Sequence, residues 1–226
     1  MKLQLDGRQF RPQRVFCIGR NYAAHVAELD NELPDAPVVF LKPAQSLVPL
    51  GARVPIPRHG GGLQQEAELV LLLGRDRNPS SESDAWDLVA GVSLGFDLTL
   101  RELQSRLKRE GLPWEAAKAF EASAPVGSFV PVTALQNRDR IQFECSVNGE
   151  LRQQADTALM LFPVPRLLVE LGRIWRLRAG DLVFTGTPAG VGSLAAGDRI
   201  EVSSAQIGSF AWDLYDDQIE PSVGSK

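Results

Sequence analysis

Cysteine, histidine and positive charge are all scarce in this chain, and each scarcity excludes something. Two cysteines in 226 residues, Cys17 and Cys145, form no C-x-x-C pair, so a disulfide scaffold and a zinc ribbon are both excluded. Both read as reduced, structural thiols of a reducing compartment. With two histidines, any imidazole doing acid and base work is His25 or His59. Lys and Arg number 24 against 28 Asp and Glu, a net charge of −4, which disfavours a nucleic acid held through its phosphates. Long apolar runs are missing too. The longest aliphatic stretch, Leu69 to Leu73, is far below the roughly 20 residues that span a bilayer. Asp6, Gly7, Arg8, Arg11 and Arg14 interrupt the N-terminus where a secretory signal needs an apolar segment. The expectation is a cytoplasmic chain with neither nucleic acid nor membrane as partner.

What is present is ordinary globular composition, 44% hydrophobic and 23% charged. The length suits one catalytic domain over 1–226, with a hairpin-like extension at 1–14 turning at Asp6-Gly7. Val15 to Ile18 reads as a buried strand, after which Asn21 caps a short helix running to Leu29. Prolines at 34, 37, 43, 49, 55 and 57 leave room only for short strands. Gln64 to Leu73 reads as one strand, polar at its start and apolar at its end, followed by a second from Gly91 to Phe96. Thr99 and Glu102 form a capping box for a helix bearing Leu100, Leu103 and Leu107 and closed by Gly111. Another helix starts at Pro165, and short strands return at 182–185, 199–203 and 209–215. The class is α+β, rich in short strands.

Several residues carry chemistry. Glu66 and Glu68, two apart in a strand, point to one side and repel unless a cation lies between them. Asp97 supplies a third carboxylate at the end of the next strand. Three carboxylates without cysteine favour a hard ion, Mg²⁺, Mn²⁺ or Ca²⁺. Alone, E-x-E is most often a solvated strand face. His25 and Glu28, three apart on a helix, suit a general base and the carboxylate that orients it. Arg101 and Gln104 share one helical face just after Asp97 and could meet an anion. Lys118 follows in P-W-E-A-A-K-A-F. The loop T-G-T-P-A-G-V-G, 185–192, has no Lys after it and opens no clear helix, so it is neither a P-loop nor a dinucleotide fingerprint. Thr187 is its polar tip.

In order, G-R-N-Y-A-A-H-V-A-E, Q-E-A-E-L, G-F-D-L-T-L-R-E-L-Q, G-L-P-W-E-A-A-K-A-F and G-D-L-V-F-T-G-T-P-A-G-V-G strongly resemble the fumarylacetoacetate hydrolase family, over a core of 15–213. The length is similar to that of its compact single-domain members, acylpyruvate hydrolases and oxaloacetate decarboxylases. The resemblance implies a β-rich roll of mixed sheets with a few short helices, of the C-terminal-domain type, and usually a homodimer. It also implies a Mg²⁺ or Mn²⁺ site on Glu66, Glu68 and Asp97, with Ca²⁺ as a stand-in in crystals, and a His25–Glu28 dyad. Substrate contacts would fall on Arg20, Tyr22, Arg101, Gln104, Lys118 and Thr187, under a lid at 21–33. Two positions depart from the family pattern. Ala119 stands where relatives often carry a serine after the lysine, and Gln64 and Gln65 stand where many carry His or an aromatic residue.

The implied reaction is hydrolysis of a carbon–carbon bond in a small acylpyruvate or related 1,3-diketo acid. His25 would activate water, with Lys118 beside it. Oxaloacetate decarboxylation or 2-oxo acid isomerisation on the same metal site is the alternative, and a relict binding protein is the reading outside enzymology.

Overall fold

A six-stranded mixed sheet carries Glu68 and ends strands just before Arg20, Asp97 and Thr187, and a five-stranded sheet backs it. The structure, a computed structural model, describes residues 1–216. The larger sheet runs in the order Val130–Pro131, Val89–Phe96, Ala67–Leu73, Leu182–Phe184, Arg14–Gly19, Val38–Pro43. Ala67–Leu73 lies antiparallel to both neighbours, and Leu182–Phe184 runs parallel to Arg14–Gly19. All seven residues of Ala67–Leu73 are buried, which is why this strand reads as a nearly unbroken apolar run. The smaller sheet orders Glu150–Asp156, Gln142–Val147, Arg199–Ser204, Gly208–Tyr215 and Val54–Pro55. Its strands alternate instead: Phe143, Cys145 and Val147 face the core and Gln142 and Glu144 face water. One face of this sheet is therefore solvated.

The helix Val164–Ile174 buries Leu167, Leu168 and Leu171 at helical spacing, with Pro165 in its first turn. Arg101–Glu110 ends on Gly111 in the left-handed conformation, φ +67°, where the Gly111 and Leu112 amides return to Lys108 and Leu107. Near the N-terminus, Leu3–Leu5 and Arg8–Phe10 pair across the Asp6-Gly7 turn. No helix among the described residues is long and apolar enough to cross a membrane. The α+β class and the mixed-sheet architecture are as the sequence implied.

Three local expectations change, all beside the candidate site. The strand expected from Gln64 to Leu73 is two strands: Leu63–Gln64 pairs with Thr99–Leu100, and Ala67–Leu73 pairs with Val89–Phe96. Gln65 and Glu66 occupy the break, and the Glu66 carbonyl accepts from the Asp97 amide at 2.8 Å. Asn21 caps nothing. Its side chain ties the chain to the far loop, donating to the carbonyls of Thr185 (2.7 Å) and Phe162 (3.1 Å) and accepting from the Phe162 amide. The helix itself spans Ala23–Glu28 with Tyr22 before it. Thr99 does not cap the helix either. Its hydroxyl donates to the Asp97 carbonyl and accepts from Lys118, so a residue with capping chemistry is used to hold the site.

Candidate active site

Glu66, Glu68 and Asp97 meet at the end of Ala67–Leu73. One oxygen from each lies within 4.8 Å of the others, and all three residues are buried. Three acids this close cannot all ionise without positive charge among them. Lys118, from the short helix Glu115–Lys118, reaches Glu66 Oε2 at 2.6 Å, Asp97 Oδ2 at 2.8 Å and Thr99 Oγ1 at 2.6 Å. Lys42 pairs with Asp97 at 2.8 Å and also donates to the carbonyls of Leu98 and Ser123. Arg101 bonds Glu66 through one nitrogen and Gln64 and Gln104 through the others.

The acids respond differently to this field. Burial alone would raise the Glu66 carboxyl, but Lys118 and Arg101 hold it well below the usual range. Glu68 goes the other way. Burial, then the charges of Asp97 and Glu66, push it far up, and the Gly186 amide at 2.7 Å does not compensate. Among the described residues, Glu68 has no ion pair. The missing positive charge is therefore missing beside Glu68. A hard divalent cation fits that donor set: oxygen ligands only, buried, close together and short of a counterion. Glu66, Glu68 and Asp97 would hold it.

His25 and Glu28 face this cluster from the helix Ala23–Glu28. Glu28 Oε2 sits 3.0 Å from His25 Nδ1, and its other oxygen accepts from the Gly190 amide at 2.9 Å. A carboxylate on Nδ1 selects the tautomer with its proton there, so Nε2 keeps the lone pair a base needs. The Gly190 carbonyl also accepts from Gln65 Nε2 at 3.0 Å. Its φ is +100°, and a Cβ there would lie 2.0 Å from the Arg152 carbonyl, so only glycine fits. The loop thus touches Glu68 through Gly186 and Glu28 through Gly190.

The surrounding cavity is tight, with about 30 Å³ of free space. Arg20, His25, Glu66, Glu68, Arg101, Gln104, Lys118 and Thr187 all line it. Arg20 holds φ +59°, unusual for a residue other than glycine and the kind of strain that collects at functional sites. Asp97 lies beneath, reached through Lys42 and Lys118. Tyr22 is the exception. Its backbone bridges to Met160, its ring is buried, and it is not among the lining residues. Its hydroxyl is buried, and burial followed by the charge of Glu68 pushes it well up. His59 also lies apart, exposed and bonded to the Ala116 carbonyl.

The sequence reading missed Lys42, Lys108 and Gln153. Lys42 had a signal: a lysine inside V-V-F-L-K-P, an apolar strand, must find a buried partner. Lys108 lines the cavity, stacks over Trp114 at 5.0 Å and is lowered to about 8 by partial burial and by Arg20, Arg101 and Lys118. It falls one helical turn after Gln104, a spacing that sequence carries. Gln153 had no signal, because an alternating strand does not tell which inward glutamine meets a site.

The family model described as fumarylacetoacetate (FAA) hydrolase C-terminal matches residues 14–214. "Oxaloacetate tautomerase FAHD1, mitochondrial" of Bos taurus is 40% identical over 189 residues, covering 84% of this chain and 86% of its own. "Oxaloacetate tautomerase YcgM" of Escherichia coli (strain K12) is 39% identical over 191 residues, covering 84% and 87%. Among solved structures, fumarylpyruvate hydrolase from Pseudomonas aeruginosa in complex with Mn²⁺ and pyruvate superposes with a TM-score of 0.91 at 34% identity, covering 96% of each chain. The chain belongs to the fumarylacetoacetate hydrolase family, a family of enzymes.

Proposed function

We propose that this chain is a metal-dependent enzyme of small 2-oxo dicarboxylic acids, and that it interconverts the keto and enol forms of an oxaloacetate-like substrate. The observation carrying this reading is one cavity on which a buried carboxylate triad, a His–Glu dyad and a group of cations converge. Charge selects the ligand. Three carboxylates are met by Lys42, Lys118 and Arg101, so a divalent ion leaves an excess of positive charge, and Arg20 and Lys108 on the wall add to it. An anion with two carboxylates balances that excess better than one with a single carboxylate. The names of the relatives at about 40% identity point to the same substrate.

A divalent ion, Mg²⁺ or Mn²⁺, held by Glu66, Glu68 and Asp97 would supply Lewis acidity toward the 2-oxo group and its neighbouring carboxylate. The chain's own residues do the rest. Arg101, Lys118 and Arg20 hold the carboxylates, with Gln104 fixing the Arg101 fork. Glu28 keeps the proton on Nδ1, so His25 Nε2 takes a proton from the carbon next to the 2-oxo group. Returned to the oxygen, that proton yields the enol with no atom gained or lost. Thr187 closes the wall opposite.

Hydrolysis of an acylpyruvate is the second reading, favoured by the 0.91 superposition on fumarylpyruvate hydrolase. There His25 takes its proton from water, which adds to the distal carbonyl. The carbon–carbon bond then breaks to give a carboxylic acid and pyruvate. We further propose a single catalytic domain acting in a cytoplasmic homodimer, which sedimentation of the purified protein checks.

The deciding experiment follows oxaloacetate keto–enol exchange by enol absorbance, and loss of oxaloacetate, fumarylpyruvate and acetylpyruvate, with Mg²⁺ or Mn²⁺ and with chelator. Metal-dependent exchange faster than any hydrolysis, abolished in Glu68→Ala, supports the tautomerase. Faster loss of a diketo acid moves the assignment to hydrolase, and loss of CO₂ from oxaloacetate to decarboxylase. Inactivity on all three overturns the enzymatic reading of this cavity.

A further inference from the structure

Behind the cavity wall, Gln153 is 1% exposed on the strand Glu150–Asp156, which belongs to the smaller sheet. Its side chain leaves that sheet and joins two segments of the site. Nε2 donates to Thr187 Oγ1 at 2.8 Å and to the Pro188 carbonyl at 2.9 Å, and Oε1 accepts from the Ala67 amide at 3.0 Å. Ala67 stands between the two ligands Glu66 and Glu68. The amide orientation is not ambiguous, because a carbonyl on one side and an N–H on the other admit only this assignment.

That assignment fixes Thr187. Its oxygen receives the Gln153 proton and gives its own to the Ala67 carbonyl at 2.9 Å. A free threonine hydroxyl rotates among several directions; this one has its proton committed and keeps only acceptor capacity toward the cavity it lines. The same side chain ties the Thr187-Pro188 wall to the start of the strand that carries Glu68, beside the Gly186 amide on the Glu68 carboxyl and the Thr185 hydroxyl on the Leu69 carbonyl.

We propose that Gln153 is a positioning residue for the reaction of this site, acting through Thr187 rather than by touching substrate. The proposal rests on the reading of the cavity as a 2-oxo acid site. It says that the smaller sheet, which contributes no residue to the cavity wall, sets where that wall stands. A misplacement near 1 Å at a positioning group costs up to about 10²-fold in rate, so a measurable effect is expected from a residue that makes no ligand contact.

The test is a cycle of Gln153→Met, Thr187→Val and the double variant, with Thr187→Ser as the conservative control. Two readouts are taken: kcat/KM for the best substrate, and titration of the Mn²⁺-loaded protein with pyruvate by water-proton relaxation. Gln153→Met should lower kcat/KM and pyruvate affinity about tenfold, with Mn²⁺ affinity within about threefold of wild type. In the Thr187→Val background the same change should cost less than about twofold, and Thr187→Ser should recover most of what Thr187→Val loses. Should Gln153→Met fail to fold, Gln153→Glu serves. It keeps the volume and the acceptor for Ala67 but loses the proton given to Thr187 and Pro188, and the same loss is expected. Equal costs in both backgrounds, or unchanged pyruvate affinity, would overturn the proposal. Pyruvate binding that follows the cycle in a protein without turnover would retain Gln153 while discarding the assigned reaction.

Discussion

The two ends of Ala67–Leu73 lie a few residues apart and are held in opposite ways. From Leu69 to Leu73 the strand is wholly buried among Val92, Leu94, Val183 and their neighbours, stabilised by area removed from water and by close packing. At its start, equally buried, Glu68 in the strand and Glu66 just before it are two acids whose desolvation is unfavourable. They persist because Lys118, Arg101 and the Gly186 amide converge on them from three distant segments. Burial alone therefore does not say what a residue contributes. The apolar end makes the fold stable and could be rebuilt with other aliphatic side chains; the acid end carries a desolvation cost that its cations and amides offset.

The sharpest way to break that contrast is to cut each end separately. Glu68→Ala should remove the metal and lower metal-dependent turnover on the order of 10⁴-fold, since Lewis-acid stabilisation amounts to several kcal/mol. Without metal the same variant should melt no lower than the parent, because it relieves repulsion with Asp97 and Glu66. Leu71→Ala should do the reverse, destabilising by about 2–5 kcal/mol while the folded fraction still binds Mn²⁺. Calorimetry and Mn²⁺ titration on both proteins check the pair. If Glu68→Ala also melts far lower in chelator, the acid end is holding the fold and the contrast fails.

A smaller loss sharpens the comparison within the site. His25→Ala should lower turnover about 10²- to 10³-fold and leave Mn²⁺ affinity unchanged, as expected of a base that is not a ligand. Glu28→Gln should retain part of the activity. An amide can still accept from Nδ1–H, but it no longer stabilises the charged imidazolium. Steady-state kinetics beside metal titration decide. Unchanged turnover in His25→Ala would remove it as the base.

The apolar end and the acid cluster were legible in sequence for different reasons. Leu69–Leu73 is a pattern, and five aliphatic residues before Gly74 say strand or buried segment by themselves. Glu66, Glu68 and Asp97 were legible as a set only through their order among other motifs. Their spacing in one strand was in fact wrong, because Gln65 and Glu66 fall in a break and the convergence is made by tertiary contact. Asn21 and Thr99 show the same limit. Each has a side chain that caps helices, yet each has a stronger partner far away in the chain, the Thr185 carbonyl for Asn21 and Lys118 for Thr99. Local rules ranked the local partner first, and packing reversed the ranking.

Lys108 gives the smallest and most specific effect. It stands at the cavity wall with Arg20, Arg101 and Lys118 near it, and partial burial followed by those like charges lowers its ammonium to about 8. Its folded value lies below the ordinary lysine value, so the folded state binds fewer protons between the two. Stability from this group therefore rises with pH through that window, while its positive charge is lost. Anion recognition follows the charge: kcat/KM for a dicarboxylic substrate should fall severalfold as pH rises through about 8, and kcat/KM for acetylpyruvate should fall less. Lys108→Met should flatten that limb for the dicarboxylic acid, at a cost of a few-fold in KM at neutral pH. Lys108→Arg should keep the charge, and with it the affinity, to higher pH. If the alkaline limb persists unchanged in Lys108→Met, another group controls it, and Lys108 serves the cavity only by packing over Trp114.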